Sequence, residues 1–195
     1  MNIIISPNET SLGLHAAKAA ASILRKAAAE KGKARLLLST GASQFSTIAA
    51  LVEEEVPWHK VEMFHLDEYV GLPQTHAASF RKYLTERFIS VVHPGKAFLV
   101  DGTPENIEFL TREIRRDPVD LGLIGIGENA HIAFNDPPAD VQTQAAYFVV
   151  NLDEACKRQQ VGEGWFRSMD DVPKQAVSMT VHQILKCRTI ISCVP

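Results

Sequence analysis

Short apolar runs alternate with helical patterns along most of this chain, and that alternation restricts the fold more than any other feature. Ile3–Ile5, Arg35–Leu38, Val61–Leu66, Ala97–Val100 and Val119–Ile124 read as strands. Between them, apolar residues recur at helical spacing: Leu12, Ala16, Ala19, Ile23 and Ala27; Phe45, Ile48, Leu51 and Val52; Phe80, Leu84 and Phe88; Ile107, Leu110 and Ile114. That spacing puts each set on one helix face. The punctuation agrees. Ser6-Pro7-Asn8-Glu9 reads as a capping box with Pro at the first helical position, and Gly32 can end the helix. Thr103-Pro104 starts another helix and Asp117-Pro118 stops it. The βαβα order predicts one α/β domain, a three-layer Rossmann-like sandwich with a mostly parallel central sheet covered on both faces. Beyond Pro137 the pattern is less regular. Strands are expected at Ala145–Leu152, Ala176–Val181 and Arg188–Val194, with a short helix at Asp153–Val161, a loop over Gly162–Asp171 and a helical turn at His182–Lys186. The chain stops at Pro195 straight after a strand, where an α/β domain usually adds a covering helix, so a C-terminal part is expected to be missing.

A chain of 195 residues with 46% hydrophobic content suits one domain with a sizeable core. The net charge of −3 is spread without long blocks of one sign. It offers no footprint for nucleic acid or an anionic membrane, so neither partner is expected. An anionic ligand would need a local positive or N–H-rich site. Cys156, Cys187 and Cys193 are too few and oddly numbered for a disulfide framework, and fit reduced thiols in the cytoplasm. Cys187 and Cys193 lack a second metal-ligand pair, so no metal is expected. Met1 opens directly into Asn2-Ile-Ile-Ile5 without a basic leader, and no apolar run is long enough to span a membrane.

Three loops leave strands with polar groups that could share one pocket, the usual place for chemistry in an open α/β sheet. In Ser39-Thr40-Gly41-Ala42-Ser43, Gly41 permits a tight turn. Backbone N–H groups and hydroxyls there suit an anion, although a plain N-cap by Ser43 is the alternative. The Lys of a Walker A loop is missing. Asp67-Glu68-Tyr69 places two carboxylates at a strand end, suited to a general base or to a solvated turn. Gly125-Ile-Gly-Glu-Asn-Ala-His-Ile-Ala-Phe-Asn-Asp-Pro137 holds His131, the one residue type of this loop suited to acid–base work near neutral pH, with Asn129 and Asp136 close enough to orient its ring. A structural histidine bonded to a carbonyl is the alternative. Gly125-Ile-Gly127 lacks the third glycine of a dinucleotide fingerprint and lies too far along the chain for one.

Taken together, these loops resemble the glucosamine-6-phosphate deaminase family, also called glucosamine-6-phosphate isomerase. Leu66-Asp-Glu-Tyr-Val-Gly-Leu-Pro73 matches its acidic loop, Gly127 to Pro137 its catalytic loop, and Ser39–Ser43, more loosely, its phosphate loop. The match is ordered and covers essentially the whole chain. Related sugar-phosphate lactonases carry a different acidic loop. The resemblance implies a cofactor-free reaction that turns glucosamine 6-phosphate and water into fructose 6-phosphate and ammonia. It implies His131 in ring opening, Asp67 as the base between C2 and C1, and Asn129 and Asp136 as the groups that set the imidazole. The substrate would be held by Ser39, Thr40, Gly41, Ala42, Ser43 and Gln44, with Glu68 and Arg158 beside them. The substrate is thus expected to be a small amino-sugar phosphate, with monomer and homo-oligomer both open. A 6-phosphogluconolactonase or a non-catalytic sugar-phosphate sensor are the competing readings on this fold.

Several positions depart from the family pattern. Ala130 stands where Gly is usual and is strained by roughly 1 kcal/mol if φ is positive there. Asp136 is one methylene shorter than the usual Glu. Arg158 is offset from the family's phosphate-binding Arg, and a phosphate-binding Lys would lie beyond Pro195. Gln142–Phe148 lacks the basic residues of allosterically activated hexamers, so no such activator site is expected.

Overall fold

The computed structural model describes residues 1–127 and 129–195. Helix α1 (Glu9–Lys31) precedes strand β1 (Ala34–Leu38), followed by α2 (Phe45–Leu51), β2 (Val61–His65), β3 (Asp67–Tyr69) and α3 (Phe80–Leu84). A π-helical turn at Thr85–Ile89 carries α3 into the short α4 (Ser90–Val92). Then come β4 (Lys96–Phe98), α5 (Pro104–Arg116), β5 (Leu121–Ile124), β6 (Tyr147–Asn151), α6 (Glu154–Gly162), β7 (Gln175–Met179), α7 (Val181–Ile184) and β8 (Thr189–Ser192).

Five strands form a parallel sheet in the order β4-β2-β1-β5-β8. Leu36 and Leu38 of β1 face α1, packing with Ala17, Ala20, Ala21 and Leu24, while Leu37 faces the other way. On that second face lie Leu110 and Ile114 of α5, Ile184 of α7, and Tyr147, Val177 and Met179 of a three-stranded antiparallel sheet, β3-β7-β6. The expected three layers are present, but the third is part helix and part sheet. The chain runs outward from β1 through β2 to β4, then returns to place β5 and β8 on the other side. β1 and β5 are therefore neighbours whose outgoing loops diverge, the crevice where such sheets bind ligands. The loop at Ser39 leaves β1 and the loop at Gly125 leaves β5. Ser39 N donates to Leu123 O at 3.0 Å, which clamps the two together.

Two local expectations fail. Ile3–Ile5 forms no strand among the described residues, and its side chains are exposed. Apolar content alone makes no strand: a strand needs a neighbouring edge to bond, and none is paired with it here. Helix α1 also starts two positions later than the capping box implied. Asn8 is its cap, accepting from Ser11 N at 2.9 Å, and Pro7 lies outside.

Candidate active site

Asp67 and Glu68, expected on a loop, are instead the first residues of β3, and alternation along a strand sends them to opposite sides. Asp67 lines a cavity of about 700 Å³, within the range of small-molecule sites. Asp67 is only 6% exposed, and burial, helped by the Glu68 charge, pushes its pKa up to about 8. Glu68 points away and is fully buried. It accepts from Ser79 Oγ and Arg81 N at 2.8 Å each, from Tyr69 N at 2.9 Å, and pairs with Arg81 Nε at 3.3 Å. Those bonds hold the start of α3. Glu68 thus supports the wall and is not among the residues that line the cavity.

His131 lines the same cavity. Its ring packs on Gly127 so closely that a Cβ there would overlap it, and the backbone of the two residues is tied by Gly127 N donating to His131 O at 2.9 Å. Asn129 Nδ2 donates to Asp136 Oδ1 at 3.1 Å, which turns the amide oxygen toward the imidazole. Asn129 Oδ1 lies 2.5 Å from His131 Nδ1, so the ring donates there and leaves Nε2 as the acceptor. Asp136 is 3.5 Å from Nδ1 and reaches the ring chiefly through the amide. A shorter side chain than Glu accounts for that relay. Ala130 adopts φ 66, the left-handed conformation its Gly-like place anticipated.

Ser178 and Asn135 fix the two walls relative to each other. Ser178 is the strand partner of Asp67 across β3 and β7. Its Oγ accepts from Phe134 N and Asn135 Nδ2, both at 3.1 Å. Asn135 Nδ2 also donates to Ile132 O at 2.7 Å and Met179 O at 2.9 Å. The loop carrying His131 is thereby bolted to the strand beside Asp67.

Ser39, Thr40, Gly41, Ala42 and Ser43 all line the cavity, with Gly41 turning the chain at φ 98. Gln44 is buried behind them, donating from Nε2 to Ser43 Oγ at 3.2 Å, and does not line the cavity. Arg158 is not brought to the cavity either. It lies on the exposed face of α6, paired with Glu154 at 3.1 Å. Residues given no role from the sequence complete the wall: Lys82, Tyr83 and Arg87 near α3, Gln159 and Gln160 of α6, and Glu163 and Trp165 after it. The spacing of 82, 83, 86 and 87 on one helix face was the available signal. No group of three or more potential metal ligands occurs among the described residues, and no described helix is long and apolar enough to cross a membrane.

The model of the glucosamine-6-phosphate isomerase and 6-phosphogluconolactonase family matches residues 7–194. A glucosamine-6-phosphate deaminase of Staphylococcus epidermidis is 36% identical, over 81% of this chain and 68% of its own length. One of Streptococcus pneumoniae is 32% identical over 98% of this chain and 80% of its own. A solved structure described as a monomeric glucosamine-6-phosphate deaminase superposes with a TM-score of 0.86 at 27% identity, covering 98% of this chain and 81% of that one. A 6-phosphogluconolactonase from Shewanella baltica superposes at 0.75 with 19% identity over 95% of this chain and 77% of that one, and shows a shared fold. With a parallel sheet, a switch-point cavity and a match over nearly its full length, the chain belongs to the glucosamine-6-phosphate isomerase and 6-phosphogluconolactonase family.

Proposed function

We propose that the protein converts glucosamine 6-phosphate and water into fructose 6-phosphate and ammonia. The observation that carries this reading is Asp67 and His131 lining one cavity together with a hydroxyl-rich loop. His131 Nε2 accepts the proton of the C1 hydroxyl and returns it to the ring oxygen as the C1–O5 bond breaks. Asp67 then takes the C2 proton of the open aldose and delivers it to C1. The electron pair left at C2 forms the C1=C2 bond of an enolamine as the C2 ammonium yields a proton to the C1 oxygen; that pair then takes up the proton at C1, and the nitrogen lone pair closes a C2 iminium. Water adds at C2 and ammonia leaves, which restores the ketone. A carbon base in this range of pKa needs little driving force to give the proton back, as an isomerase requires. The phosphate, held in the Ser39–Ser43 loop, orients the reacting carbons and can contribute several kcal/mol. Three unpaired cysteines fit a reducing compartment, and we assign the enzyme to cytoplasmic amino-sugar catabolism.

The test is ammonia release from glucosamine 6-phosphate, coupled to appearance of fructose 6-phosphate. No release, alongside hydrolysis of a 6-phosphogluconolactone, would replace this reading with the lactonase one. Lactone hydrolysis needs no carbon base, so Asp67→Asn also separates the two: it abolishes isomerisation but leaves a lactonase largely intact.

A further inference from the structure

We propose that Arg87, seconded by Lys82 on the same helix face, is the cationic grip on the substrate phosphate; this rests on the sugar-phosphate reading above. Among the described residues that line the cavity, Lys82 and Arg87 are the only lysine or arginine. The Arg87 guanidinium lies 4.8 Å from the ring centroid of Phe45 and 5.4 Å from that of Tyr83. Those two rings stack at 5.4 Å, and Phe45 directly follows the Ser39–Gln44 segment. The aromatic pair therefore parks a cation at the phosphate end of the cavity. Arg87 is exposed and makes no ion pair among the described residues, in contrast to Arg81, which Glu68 holds. The π turn at Thr85–Ile89 widens the helix by one residue and sets 82, 83, 86 and 87 on the cavity side. Glu86 shares that face, which leaves it one net positive charge, and Glu163 adds a further carboxylate to the lining, so both cations are needed to attract a dianion.

Two buried hydroxyls also await a partner on this wall. Among the described residues, Ser39 Oγ and Tyr83 OH have no hydrogen-bond partner, although both residues line the cavity and Ser39 is 4% exposed. Native proteins seldom leave such groups unsatisfied without a ligand or water. The span also fits. A Cβ at Gly125 would sit 2.7 Å from Ser43 Oγ, and Gly127 touches the His131 ring. Two residues reach at most about 7 Å, so a phosphate at Ser43 leaves the far carbons of a hexose 6-phosphate beside His131.

The experiment compares the wild type with Arg87→Gln, Arg87→Lys and Arg158→Gln. It reads kcat and KM for ammonia release, and the Kd of inorganic phosphate by calorimetry at low salt. Arg87→Gln should raise KM and the phosphate Kd together, roughly 10- to 100-fold, with a smaller change in kcat. Arg87→Lys should recover part of both. An Arg87→Gln enzyme whose KM and phosphate Kd stay within twofold of wild type overturns the assignment, as does a larger loss in Arg158→Gln. The two proposals fail separately. Phosphate binding that depends on Arg87, without ammonia release by the wild type, keeps the grip and removes the substrate. Ammonia release with an unchanged KM in Arg87→Gln keeps the reaction and removes the grip.

Discussion

Burial and the Glu68 charge hold the Asp67 carboxyl at a pKa of about 8. The base form therefore dominates only above that pH, and kcat/KM should rise roughly tenfold per unit below pH 8 and level off above it. Stability moves the opposite way. The folded state keeps the Asp67 proton up to about pH 8, whereas an unfolded aspartate loses it near its model value of 3.8. Between those values the folded state binds more protons, so raising the pH destabilises it. Asp67→Asn should thus match the wild type in thermal melts near pH 4, exceed it at pH 8 by on the order of a few kcal/mol, and be inactive as an isomerase. Equal melting curves at both pH values would show that Asp67 is not held protonated. Asn129 makes a second case. Its amide fixes the His131 tautomer, so Asn129→Ala should lower kcat about 10- to 1000-fold while KM changes little, measured by steady-state ammonia release. Much at this scale was legible in the residues: the types and spacing of Asp67, Asn129, His131 and Asp136 pointed to the site. Their division of labour was not. That Glu68 turns inward while Asp67 faces the cavity depends on β3 being a strand, and two carboxylates followed by one tyrosine carry no strand signal of their own.

Elements decide whether the two walls stay in register. β3 carries Asp67 and pairs with β7, the loop after β5 carries His131, and Asn135 with Ser178 joins them. Asn135→Ala removes three donated hydrogen bonds from a buried amide and leaves Met179 O and Ile132 O without that partner. We expect a loss of about 2–4 kcal/mol in chemical denaturation, and a fall in kcat larger than any rise in KM. A variant destabilised to that degree but with unchanged kcat would mean that the walls hold their spacing by other contacts. The alternation of strand and helix was readable from periodicity because β1, β2 and β5 are buried on both faces and α1 and α5 are amphipathic. The second sheet was not readable as a sheet. β6 and β7 were expected as strands, but the antiparallel pairing of β7 with β6 on one side and β3 on the other is set by long-range register, which periodicity does not encode. Ile3–Ile5 shows the converse: strand-like composition without a strand edge to join.

Across the whole molecule, chemistry and anchoring sit at opposite ends of the sheet. The cavity opens at the C-terminal ends of β1 and β5. At their N-terminal ends Arg35 is fully buried, pairs with Glu62 at 3.2 Å, and donates to Glu113 O at 2.6 Å, Ile114 O at 3.3 Å and Asp117 O. Arg35 and Glu62 are register partners across β1 and β2, and Arg116 adds a second cation to Glu62 at 3.0 Å. Asp120 completes the cluster by accepting from Arg35 N at 2.9 Å and pairing with Lys31. This network ties the end of α5 to the sheet, a job for which the apolar pattern of the helix gives no cue. Arg35→Met strips three carbonyls of their donor and leaves Glu62 with only its surface partners. It should cost about 3–5 kcal/mol, or a melting temperature lower by roughly 6–20 °C for a domain of this size. Because the cluster lies a full strand length from the cavity, kcat and KM per folded molecule should not change at a temperature well below the melt. Pairing Arg35→Met with Glu62→Leu removes the stranded charge along with its partner. The double variant should recover part of the loss, since a buried ion pair and an apolar pair of similar volume are often comparable in stability. If the double variant is less stable than Arg35→Met alone, the carbonyls rather than the ion pair are what Arg35 chiefly serves. A drop in kcat that tracks the drop in melting temperature would show that the two ends of the sheet are mechanically linked.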